Sequence, residues 1–226
     1  MIFNSLIANL LPFFPKSFVR IFAKPYLAGE TLEEAMAKIR ELNTQGISAT
    51  LDLLGEDPKT RSRCRAAVEM YLTALDRIAE SGLNSGISLK PSHMGLKLDM
   101  TFCFDNLREV AAHAAAHRIF VRVDMEDTAL KNHTLDLFFR LKKEFDNVGI
   151  VVQAYLRSAI QDIRPLMDVK AGIRLCKGAY FWEHKKEVYK ARPLSIQAMP
   201  ICWSNCFPMA ALPALPPTMK SSCSKL

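Results

Sequence analysis

Two apolar periods alternate along the chain. "ISATLDLLGE" (47–56) is a β-branched stretch that runs into polar residues. The charged segment after it, Asp57 to Ser81, sets Val68, Tyr71, Leu72 and Leu75 at i, i+3, i+4 and i+7, the spacing of one helix face. The exchange repeats four more times. Strands are predicted over 85–92, 118–127, 147–156 and 171–180. Helices are predicted over 101–117, 128–145, 158–169 and from Trp182 onward. Regular strand-then-helix units imply a parallel sheet covered by helices. "GIVVQAYL" is nearly continuous in its apolar character, as a strand buried on both faces should be.

An open doubly wound sheet and a closed (βα)8 barrel share this pattern. They differ in where polar residues collect. Here Asp52, Lys90, Asp124, Gln153 and Arg174 with Lys177 recur at or near the C-terminal ends of successive strands. In a barrel those ends converge on one mouth, whereas an open sheet concentrates chemistry at one switch point. The expected fold is therefore a (βα)8 TIM-type barrel, incomplete here with about five βα units, short of the ~250 residues a full barrel uses. The expected organisation is an N-terminal helical segment over 1–46, a partial barrel over 47–191 and a Pro-rich tail over 192–226.

Composition changes this picture little until the tail. The 226 residues are 50% hydrophobic and 23% charged, as in ordinary globular chains, and the net charge of +7 comes from dispersed Lys and Arg. No nucleic-acid motif accompanies that charge, so nucleic acid is not an expected partner. Six cysteines without CxxC pairs fit reduced thiols in a cytoplasmic protein. The apolar N-terminus lacks a leading basic region and is broken by Pro12 and Pro15, which argues against a cleaved signal or a spanning helix. It is expected to be an amphipathic helix that packs on the domain, with peripheral contact at a membrane surface as the sharper alternative. Residues 193–226 contain six of the chain's 12 prolines and no Asp or Glu, with no sustained period. This tail is expected to be disordered, although Trp203, Phe207 and three cysteines are unusual in such segments.

Several strand-end residues carry chemistry. Asp124 could cap the following helix or serve as a carboxylate at a barrel mouth. Lys90, just before Pro91 at the end of a buried strand, must reach water, pair with an acid such as Asp124 or bind an anion. Gln153 inside an apolar strand must satisfy its amide through packing or through a cofactor. Arg174 and Lys177 flank a strand end beside Gly178 and Ala179, where small residues allow close backbone approach and two cations suit a phosphate or an electron-rich heterocycle. His113 and His117 stand at i, i+4, but no third metal ligand is evident, so no metal is expected.

"ATLDLLGE", "ISLKPSHMGL", "VDMED", "NVGIVVQAYLR" and "IRLCKGAY", in this order and spacing, resemble the proline dehydrogenase (proline oxidase) family. "LAGETLEEAMAKIRELNTQGISATLDLLGED" is similar to the start of its short, monofunctional bacterial members, and the likeness covers roughly residues 1–190. The resemblance implies a distorted (βα)8 barrel that binds FAD at its C-terminal mouth and oxidises L-proline to Δ1-pyrroline-5-carboxylate. Hydride would pass from the ring C5 to flavin N5, and electrons then to a membrane quinone or another acceptor. By motif position it implies Arg174 near flavin N5, Gln153 on the isoalloxazine edge, and Cys176, Lys177, Gly178 and Ala179 lining the cofactor. Lys90 would hold the proline carboxylate, Asp124 would position polar groups beside flavin and substrate, and Tyr180 would shape the proline pocket. The alternatives are a flavin-dependent barrel acting on another amine, or a shortened non-enzymatic protein that binds a partner through its N-terminal helix and exposed sheet edge.

Three departures stand out. Cys176 replaces the usual valine, and Phe181 stands where some members have tryptophan. More seriously, the family's "ATHD"-type strand and its final helix with paired arginines are missing. "LPPTMK" (215–220) can be back-translated so that the neighbouring frame reads I-A-T-H-D-E, the missing motif. A single-base slip around residues 190–198 is therefore expected to have replaced the C-terminal third, leaving a truncated and inactive chain.

Overall fold

A computed structural model describes residues 28–55, 57–178 and 188. Within them, each predicted strand and helix between residues 47 and 176 forms, with shorter strands than the apolar runs suggest. The elements alternate as α1 (Leu32–Thr44), β1 (Ala49–Asp52), α2 (Arg61–Glu80), β2 (Ser85–Leu89), α3 (Met100–Ala116), β3 (Val121–Val123), α4 (Lys131–Glu144), β4 (Val148–Gln153), α5 (Ala159–Asp168) and β5 (Gly172–Cys176). The strands stop early because their polar C-terminal residues leave the ladder for loops. Pro91, for instance, has no N–H to continue β2.

The five strands are all parallel and hydrogen-bonded in chain order, β1-β2-β3-β4-β5. That order decides between the two α/β architectures. A doubly wound sheet reverses at a switch point, whereas a barrel adds each strand beside the last. The structure is a curled, five-stranded part of a (βα)8 barrel with helices on its outer face.

Strand alternation divides the chemistry cleanly. Leu51, Ile87, Leu89, Val121, Val123, Val148, Ile150 and Val152 are buried in the layer shared with the helices. There they pack with Val68, Tyr71, Leu75 and Ile78 of α2, Leu107 and Val110 of α3, Leu137 and Phe138 of α4, and Ile163 of α5. Burying each such side chain contributes on the order of 1.5–3 kcal/mol. Helix starts are fixed locally. Thr31 and Glu34 form a reciprocal capping box on α1, and Thr60 and Asp99 cap α2 and α3. No helix among the described residues is long and apolar enough to cross a membrane.

The expectations for the apolar N-terminus, for Ala179 and Tyr180, for a helix from Trp182 and for the tail fall outside the described residues. Val188 alone is placed beyond Gly178, bridging antiparallel to Leu156.

Candidate functional site

Residues paired in register on parallel strands share a face, which places the polar strand residues on the concave side. Thr50 pairs with Gly86, Asp52 with Ser88, Ser88 with Arg122, Arg122 with Gly149, Val151 with Arg174, and Gln153 with Cys176. Lys90 and Asp124 follow by alternation from Ser88 and Arg122. The sequence-predicted Lys90, Asp124, Gln153, Arg174 and Cys176 therefore all lie on or just beyond one face, at or near its C-terminal rim.

The rim begins with an ion pair. The Lys90 ammonium lies 2.6 Å from Asp52 Oδ2, with both side chains largely shielded. The Tyr71 hydroxyl donates its one proton to the Ser88 carbonyl at 2.8 Å and lies 3.3 Å from Asp52 Oδ1. Tyr71 rises from α2 through the core to reach them, and burial holds its phenol far above the ordinary range.

Asp124 follows β3 and accepts a hydrogen bond from Ser88 Oγ at 2.7 Å. Burial pushes its carboxyl up, and Asp52 pushes it further. The Ser88 hydroxyl, Lys90 and Arg174 pull the other way. Asp124 does not cap the next helix. The backbone N–H of Leu130, just before α4, is met instead by Asp127 Oδ1 at 2.9 Å. The capping reading is therefore not met, and the Asp124 carboxylate lies at the C-terminal rim of the concave face.

Gln153 ends β4 and is buried. Its Nε2 donates to the Met125 and Glu126 carbonyls at 3.0 and 3.2 Å, while its Oε1 is buried with no hydrogen-bond partner among the described residues. Glu126, also buried, accepts from the Ser92 backbone N–H at 2.8 Å and from Ser92 Oγ at 2.5 Å. The loops after β2 and β3 are thus tied to the end of β4, and one acceptor is left over. Leaving a buried acceptor unmade costs about 1–3 kcal/mol, so such an atom marks a place where a donor is missing.

Arg174 is exposed on the same face, and its side chain makes no hydrogen bond among the described residues. Deeper in, Arg122 lies with its guanidinium 5.5 Å from the Phe120 ring and 3.4 Å from Thr50 Oγ1. Burial, with Arg174 nearby, lowers its affinity for the proton. Phe120 closes the base of this face, its ring filling the space a Cβ would need at Gly149.

Gly178 has φ +94°, and a Cβ there would meet the Tyr155 ring at 2.0 Å. The small residue that sequence reasoning linked to an approaching ligand is closely approached by a tyrosine. Cys176 is a free, half-buried thiol, and the Lys177 carbonyl accepts from the Tyr155 N–H at 3.0 Å.

Sequence reasoning missed four supporting residues. Asp52 was seen only as a strand end, and Tyr71 only as part of a helix stripe. Ser88 in "ISL" and Arg122 in "VRV" are polar residues inside apolar strands, and that interruption was the available signal. It also found no third ligand for His113 and His117. The structure brings Asp76 of α2 against both imidazoles.

A sequence-family profile described as "Proline dehydrogenase" matches residues 35–205. Proline dehydrogenase 1 of Bacillus subtilis (strain 168) is 38% identical over 161 residues, covering 71% of this chain and 53% of the relative. Proline dehydrogenase of Deinococcus radiodurans is 32% identical over 163 residues, covering 70% and 53%. The chain thus spans about half the length of these relatives. Among solved structures, proline utilization A (PutA) from Bdellovibrio bacteriovorus inactivated by N-propargylglycine superposes with a TM-score of 0.71. That match has 23% identity and covers 78% of this chain and 23% of that one, a likeness of fold.

Proposed function

The chain belongs to the proline dehydrogenase family, and from that premise we propose that its concave face is part of a site for FAD-dependent oxidation of L-proline to Δ1-pyrroline-5-carboxylate, with a quinone or another acceptor taking up the electrons. The observation that carries this reading is the buried Gln153 Oε1, an acceptor that finds no donor among the described residues at the rim where the polar strand ends meet. A flavin ring edge offers N–H groups of the kind this atom lacks, so the residues present fit the group.

FAD, when bound, would supply the two-electron acceptor that no side chain provides. Gln153 would hold the ring edge through Oε1, its Nε2 being already committed to two carbonyls. Arg174, an exposed cation on β5, would place positive charge beside the heterocycle, with Cys176, Lys177, Gly178 and Ala179 lining the same strand end. Lys90 suits the substrate carboxylate because the Asp52 contact holds its ammonium in place at the rim. Asp124, braced by Ser88, would order polar groups between cofactor and substrate, and Tyr180 would shape the proline pocket. Burying a zwitterion such as proline requires both a cation and an acceptor in fixed positions, because unpaired charge in a shielded site is costly.

This reading places the protein in the cytoplasm, peripheral to the membrane when its acceptor is a membrane quinone. It also takes the change of composition after Pro193 as a single-base slip, so the 226-residue chain itself would lack activity. The test is a flavin absorbance spectrum together with proline-dependent dye reduction, for the chain as given and for one restored to the other frame. Activity is expected only in the restored chain.

A further inference from the structure

We propose that Asp76, His113 and His117 form a binding site for one divalent ion of the Zn2+ class, clamping the C-terminal turns of α2 and α3 together. This does not rest on the proline reading. Asp76 lies in α2 and His113 in α3, while His117 immediately follows α3. All three sit toward the N-terminal ends of the strands, the end opposite the rim that carries Lys90 and Gln153.

The geometry is already convergent. His113 and His117, one helical turn apart, project from the same face, with ring centroids 5.1 Å apart. Both Nε2 atoms turn to the same carboxylate oxygen, Asp76 Oδ1, at 2.7 Å for His113 and 3.3 Å for His117. One ligand atom from each of the three residues can be chosen so that all lie within 4.8 Å of one another. A Zn2+ ion takes imidazole nitrogen and carboxylate oxygen at about 2.0–2.2 Å, which separates tetrahedral ligands by about 3.4 Å. The His117 contact already has that span. The His113 contact is a hydrogen bond, and replacing its proton by a metal needs a retreat of only about 0.7 Å.

The donor set also selects the ion. Two imidazoles with one carboxylate favour Zn2+, Cu2+ or Ni2+, whereas Mg2+ and Ca2+ require mainly oxygen ligands. Access is open: the side chains of Asp76, His113 and His117 are each one third to one half exposed, so water can reach the remaining positions of the ion. The other reading of the cluster is a carboxylate bridging two imidazoles, with no affinity for metal.

Titrating the untagged, metal-free chain with ZnCl2 by calorimetry, and with Co2+ by visible absorbance, separates the two. The proposal expects one equivalent bound, no competition from excess Mg2+, and a melting temperature several degrees higher at about 100 times Kd. His117→Ala and Asp76→Asn should each weaken binding at least about tenfold. His117 is exposed, so its variant should keep the parent far-UV dichroism and separate ligand loss from misfolding. No saturable binding, equal binding in parent and His117→Ala, or binding that persists in denaturing urea would each overturn the proposal.

Discussion

Lys90 and Asp52 meet across adjacent strands, Nζ to Oδ2 at 2.6 Å, beneath the rim that gathers the other polar strand ends. The pair is shielded enough that removing one partner leaves the other poorly solvated. Asp52→Ala is expected to lower stability by about 1–3 kcal/mol, read from urea denaturation midpoints. Lys90→Met, which keeps the aliphatic stem and removes the charge, should cost less. Equal losses in the two variants would mean that the poorer solvation of Lys90 than of Asp52 does not set the cost.

Asp124 gives a pH signature of definite sign. Its carboxyl is raised above the ordinary aspartate range, with burial as the largest cause. The folded state then holds the proton more tightly than the unfolded chain. Its stabilising contribution is complete below the unfolded value of about 3.9 and is lost as pH rises through the folded value. Asp124→Asn keeps an acceptor for Ser88 and removes the charge. It is expected to raise stability at pH 7, by on the order of 1 kcal/mol, with the advantage shrinking toward pH 4. A gain that is constant with pH would show that ionisation is not its source.

Gln153→Leu removes the unpartnered Oε1 and also the donor to the Met125 and Glu126 carbonyls. Stability should fall by about 1–2 kcal/mol, because two carbonyls lose a partner. Flavin affinity of the frame-restored chain should fall by at least about tenfold, measured by quenching of free FAD fluorescence. Unchanged affinity would remove Gln153 from the cofactor site.

Gly178→Ala adds a Cβ against the Tyr155 ring at a φ of +94°. Loss of about 1–3 kcal/mol is expected, partly recovered in the Gly178→Ala, Tyr155→Ala double variant. Without recovery, backbone strain rather than the ring is the cause.

The DNA across codons 185–226 should contain, in a neighbouring frame, barrel-like sequence that includes the I-A-T-H-D-E motif. Its absence would refute the slip.

The fold was legible because its signals were local and repeated. Strand runs such as "GIVVQAYL" and helix stripes such as Val68, Tyr71, Leu72 and Leu75 each reported one unit, and polar ends on successive strands reported the barrel. The strand ends were less legible. β3 is only Val121–Val123 because Asp124 onward turns into loop, although the apolar pattern suggested a longer run. Within the site, residues that end strands were visible and those that brace them were not. Tyr71 reaches Asp52 and Ser88 from another element, and Glu126 holds Ser92 across a separation of 34 residues. No sequence period encodes such contacts. Asp76 was hidden in the same way, since it joins His113 and His117 only once α2 and α3 pack.

The most direct test of the proline dehydrogenase reading is an anaerobic titration of the frame-restored chain with L-proline, followed by the visible absorbance of its bound flavin. Loss of the oxidised flavin band on adding proline, with both retention and bleaching weakened in Gln153→Leu, is the predicted result. A folded, restored chain that retains no flavin, or whose flavin spectrum is unchanged by proline, would contradict it.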